Sequence, residues 1–262
     1  MMKIKINQEA QTSILLDTLL QLKRQYPMIK MRWIALPIFV LILMYGWQQQ
    51  FFTAWVILPF VWTMIVLNLA LLAHSKSKKL QKIEQFKFDP IFWNKFRFYY
   101  PELGLKQRQL IEVGFKDYLA LHVMQKQAYA MPSHAVDSLW HVMLEFPKQY
   151  QDLCERLIGR QLHHSPYEAS TTSTQQTQQL FATWRNSCGL HAYQPRNTTL
   201  LPRLFAIDQA LNWQDGQYFN LELMTKDYAQ YLQAQSSSSS SSCSSSSNSC
   251  SSCSSCGGGG GD

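Results

Sequence analysis

The sequence predicts an all-α chain: a two-helix transmembrane hairpin, an irregular cytoplasmic helical bundle and a disordered tail. Three observations predict it. No Asp, Glu, Lys or Arg occurs from Trp33 to Ser75. From Phe86 to about Ala234, apolar residues recur at helical rather than strand spacing. After Ser236 the chain is almost wholly Ser, Cys and Gly.

The N-terminal arm, residues 1–32, carries Leu15, Leu16, Leu19 and Leu22 at i, i+1, i+4 and i+7. This spacing predicts an amphipathic helix over about Gln8–Gln25, either packed on the domain or lying along a membrane. The first apolar run begins only after this arm, with no small-residue cleavage site behind it, so no cleavable secretory signal is expected.

The hairpin occupies residues 33–74. As one helix its uncharged stretch would measure roughly 64 Å, about twice a hydrocarbon core of ~30 Å. Two passes, about 33–47 and 51–73, fit instead, with Gly46, Trp47 and Gln48–Gln50 as a polar turn. Trp33, Tyr45, Trp47 and Trp55 stand where an aromatic belt would lie. The first pass is short and relies on Lys30 and Arg32 snorkelling toward headgroups.

Charge sets the expected orientation. The chain holds 24 Lys+Arg against 17 Asp+Glu, for a formal charge of +7, yet only 16% of its residues are charged. Soluble proteins average about 25%. Lys23, Arg24, Lys30 and Arg32 precede the hairpin, and Lys76, Lys78, Lys79, Lys82 and Lys87 follow it. Basic outer flanks place both termini in the cytoplasm of an inner or plasma membrane. The lipid bilayer is then the expected partner, joined by another membrane or cytoplasmic protein. Because the flanks account for the positive charge, no nucleic-acid partner is expected.

The bundle spans residues 75–234. Helical patterns cover about Lys106–Tyr129, Ser133–Glu145, Pro147–Ile158, Gln175–Ser187 and Asn220–Gln233. Ser133 suits an N-cap, Pro147 a first helical turn, and Gly159 a left-handed C-cap. Glu168–Gln179 reads as a solvated loop running into a helix.

Within the bundle, His141 stands on a face beside Asp137, while Cys154 shares an apolar face with Tyr150, Leu153 and Leu157. That placement reads Cys154 as a small core residue. His163 and His164 follow the Gly159 helix end. If the two helices fold back on each other, His141, Cys154, His163 and His164 become candidate ligands for a divalent metal such as zinc, or for iron. The bland alternative is a His141–Asp137 hydrogen bond and a histidine pair that caps helix-end carbonyls. No H-E-x-x-H, nucleophile elbow or phosphate loop names a reaction, so no catalytic residue or cofactor is assigned.

The run Met131-Pro-Ser-His-Ala-Val-Asp-Ser-Leu-Trp-His141, then Tyr150, Cys154, Gly159 and Leu162-His-His-Ser-Pro166, resembles the bacterial branch of the glycine-rich domain-containing protein-like family. Thr183–Cys188 and Leu201–Asp208 are similar to it as well, so the resemblance covers about Leu110–Gly216. Ile158 and Gln161 depart from it, standing where such chains usually place aromatic residues. The resemblance implies no established activity, and it leaves Asp137, Trp140, His141, Cys154, His163 and His164 as matched positions without roles.

In the tail, residues 235–262, Cys243 precedes a C-x2-C-x2-C run at Cys250, Cys253 and Cys256. A reduced, flexible linker is the favoured reading, with metal, iron–sulfur, redox or lipid attachment as alternatives. The expected function is a membrane-anchored helical interaction or scaffold module. The alternatives are a metal-binding enzyme or sensor built on His141 with His163 or His164, and a thiol-based metal or redox sensor in the tail.

Overall fold

The computed structural model describes residues 13–25, 40, 44–45, 52–162 and 174–239. Its regular elements are helices, as the periodicity predicts. The N-terminal helix, α1, covers residues 13–21. It buries Leu16 and Leu19 and leaves Ile14 exposed, so the arm packs on the bundle.

The next helix, α2, is Phe52–Gln85, with side chains described from Val61 onward. It runs without a break through the boundary expected near residue 74, and the basic flank is part of the helix. Its C-terminal root is anchored by Leu80 and Ile83, both almost fully buried.

This arrangement corrects the membrane hairpin. Among the described residues no helix is long and apolar enough to cross a membrane. The lysines that were to mark a headgroup boundary continue the same helix into the bundle. The expected first pass, 33–47, lies outside the described residues apart from positions 40, 44 and 45. With the hairpin go the integral-membrane placement and the cytoplasmic assignment of both termini drawn from it.

Helix α3, Pro90–Tyr99, was not anticipated. The Asp89 side chain accepts a hydrogen bond from the Ile91 amide at 2.9 Å, and Pro90 supplies the pre-set first turn. Its buried Phe92 meets Phe146 edge to face with ring centres 5.9 Å apart.

Helix α4, Leu105–Met124, is the central element. It packs against α2 and α5 (His134–Leu144), and also against α7 (Thr174–Leu190) and α8 (Arg203–Leu211). At Gly114 an added Cβ would come within 2.9 Å of Val136 Cγ2 and would also collide with Ile207. A glycine is therefore needed where α4, α5 and α8 cross. Residues beyond Met124, expected to continue the helix to Tyr129, leave it in extended geometry at Gln125.

Between α5 and α7 lies α6, Pro147–Leu157. Ser133 Oγ accepts from the Val136 amide at 3.3 Å, Pro147 opens α6, and Gly159 adopts φ 79° behind it. All three local expectations are borne out. The last helix, α9 (Leu221–Ser239), extends past the expected domain edge at residue 234 and buries Met224 and Tyr228.

Candidate functional site: buried polar clusters around α4 and α5

The four candidate metal ligands do not all fall among the described residues. His163 and His164 lie outside them, as do the tail cysteines. His141 is on the outer side of α5, its side chain 58% exposed and its Nδ1 3.6 Å from Asp137 Oδ2. Cys154 is fully buried in α6. Among the described residues no group of three or more His, Cys, Asp or Glu side chains is placed to hold a metal ion.

Cys154 belongs to a packed interior. Burial pushes its thiol upward, away from the reactive thiolate form. Beside it, Trp140 Nε1 donates to the Tyr150 hydroxyl at 2.8 Å, and that hydroxyl donates to the Leu162 carbonyl at 3.1 Å. This chain of bonds ties α5 and α6 to the segment that follows them. Trp140, Tyr150 and Cys154, singled out by the sequence motif, thus share one buried polar seam.

Two further motif segments converge at Asp208, which is 1% exposed. Its carboxylate accepts from Ser133 Oγ at 2.5 Å and from the amides of His134 at 2.8 Å and Ala135 at 3.1 Å. A fourth bond comes from the Gln217 amide at 2.8 Å. Three of these donors open α5, where unpaired N–H groups and the helix dipole favour a negative charge. Gly216 lets the chain pass close, since an added Cβ would lie 2.9 Å from Asp208 Cβ. The Ser133 N-cap was legible in the sequence, but the remote carboxylate supporting it was not.

A larger cluster surrounds Asp117 of α4. Arg24 Nε lies 2.5 Å from Asp117 Oδ1, while His191 Nε2 and Arg203 Nε lie 3.4 and 3.5 Å from Oδ2. All four side chains are at most 5% exposed. Burial alone would raise the Asp117 pKa, but the Arg24 and Arg203 guanidiniums and the His191 contacts outweigh it and hold the carboxyl well below the usual range. Burial lowers the Arg203 pKa against the pull of Asp117.

The same side chains tie the N-terminal arm to the bundle. Arg203 donates to the Leu22 carbonyl, His191 Nδ1 lies 3.4 Å from the Lys23 carbonyl, and Arg24 donates to the Val113 carbonyl at 3.1 Å. The Gln25 amide donates to the Leu190 carbonyl at 2.7 Å. Arg24 was anticipated as a membrane flank. Asp117, His191 and Arg203 carried no local signal, because their partners are distant in sequence.

Near the other end of α4, His122 is 7% exposed and stands edge-on to the rings of Tyr118 and Tyr129. Arg160 Nη2 is 3.3 Å from His122 Nδ1. Arginine can only donate, so this contact assigns the ring proton to Nε2. Burial, reinforced by the Arg160 charge, lowers the His122 pKa to about 4. The imidazole is therefore neutral at neutral pH.

These clusters define an all-α protein whose central helix carries several buried charged and polar groups. A family model described as UCP032817-like matches residues 78–246, the greater part of the chain, and the protein belongs to that family. Neither the curated proteins nor the solved structures contain a match.

Proposed function

We propose that the protein is a non-enzymatic helical interaction module that docks on another polypeptide through the outer part of α2. The observation that carries this reading is the exposure of contiguous large apolar side chains there. Met64 is 50% exposed, Leu67 54%, Leu71 60% and Leu72 55%. Monomeric proteins seldom display such a run unless something covers it. The bundle supplies the rigid mount, because the root of α2 is fixed on α4 and Lys76 donates to the Met124 carbonyl at 2.9 Å.

The basic residues support a protein rather than a nucleic-acid partner. Lys95 pairs with Glu145, Lys106 with Asp17 and Lys116 with Glu112. The resemblance to bacterial glycine-rich domain-containing protein-like chains belongs to the same proposal, since Ser133, Trp140, Tyr150 and Cys154 serve packing here. In-cell chemical crosslinking tests the reading. Wild-type chain should form a discrete adduct that Leu67→Glu with Leu71→Glu abolishes; equal adducts from both proteins would sink it.

A further inference from the structure

Resting on the reading of α2 as a docking surface, we propose that its occupant is a second copy of this chain, paired antiparallel about Asn68. Val61, Met64, Ile65, Asn68, Leu71 and Leu72 recur at i, i+3, i+4, i+7, i+10 and i+11, so they form one stripe along the helix. All six are exposed.

Asn68 decides between partners. A single amide in an apolar stripe is poorly accommodated by an apolar groove. Opposite its own copy, however, it has a donor and an acceptor to exchange, and such an asparagine fixes register and oligomeric state in paired helices. Centring the pair on Asn68 sets Met64 against Leu72 and Ile65 against Leu71.

Charge decides the direction. The stripe continues into Lys78 and Lys79, both exposed. In a parallel pair each would face its own copy, and like charges at close range are destabilising. The antiparallel pair sends them to opposite ends, and the two bundles with them.

The experiment uses the full chain, its mass measured across a concentration series and a photoreactive residue replacing Met64. A dimer is expected, with the crosslink mapping to the neighbourhood of Leu72 in the second copy. Asn68→Asp, which sets two carboxylates face to face at an exposed position, should weaken the dimer at least tenfold while leaving helix content unchanged. A crosslink from position 64 to position 64 overturns the antiparallel pair, and an unaffected Asn68→Asp dimer overturns the role of Asn68. A monomer whose probe captures a different protein in cells overturns self-pairing but leaves the docking surface standing. A monomer that crosslinks to nothing, or that floats with anionic phospholipid vesicles through the same stripe, removes both readings.

Discussion

Helices α2 and α4 lie against each other and solve opposite problems. α4 is buried along most of its length, although it carries Lys116, Asp117 and His122. The outer part of α2 is rich in leucine and stands exposed. Composition therefore does not decide burial in this molecule; partnering does. Asp117 enters the core because two arginines and a histidine arrive from other elements to meet it. The leucines of α2 have no described element arranged to cover them on every side.

The contrast predicts graded responses to substitution, and the largest belongs to α4. Asp117→Ala leaves Arg24 and Arg203 buried without their counter-charge and His191 without this contact, a loss of about 3–5 kcal/mol. Denaturant unfolding measures it, and proteolysis should cut the N-terminal arm first. The sign in pH follows from the lowered pKa. The stability Asp117 contributes is complete above the ordinary value of 3.8 and is lost as pH falls toward its folded value. A loss below about 1 kcal/mol would show that the cluster is incidental to stability.

His122 gives the next effect. Its pKa falls from 6.5 to about 4 on folding, so between those values the unfolded chain binds more protons. Stability should drop as pH is lowered through that window, by about 3 kcal/mol in total. His122→Gln keeps an acceptor for Arg160 and should flatten the decline. An unchanged pH profile in that variant would assign the acid sensitivity elsewhere.

Ser133→Ala removes one donor to Asp208 and the cap of α5. The expected cost is about 1–2 kcal/mol, read from the denaturation midpoint. At the far end of the scale, Leu67→Gln on α2 should change the stability of the isolated chain by no more than about 0.5 kcal/mol. A larger loss would mean that this surface is already covered within one copy, and the comparison between the two helices would fail.

Where reasoning from the sequence succeeded, the signals were local. Ser133, Pro147 and Gly159 act within one helical turn, and their roles as N-cap, first turn and left-handed C-cap are what the structure shows. Helices α3 and α8 escaped notice because they are short and lie among aromatic and proline-rich connections, where periodicity has little length in which to register. The membrane reading failed for a related reason. An apolar, uncharged run looks alike whether lipid or protein is to cover it. The run also continues into a basic helix rooted in the core, which hydropathy along the chain does not reveal.

The sequence by itself determined that the chain is helical, where several helices start and stop, and which side chains were chemically unusual. Those properties depend on neighbours a few residues apart. Only the tertiary structure decided that Asp117 is the hub for Arg24, His191 and Arg203, and that Asp208 serves Ser133 and the start of α5. It also decided that Cys154 packs while His141 faces outward. Each of these rests on contacts between residues far apart in the chain, and such contacts are set by how helices cross rather than by the order of the residues within them.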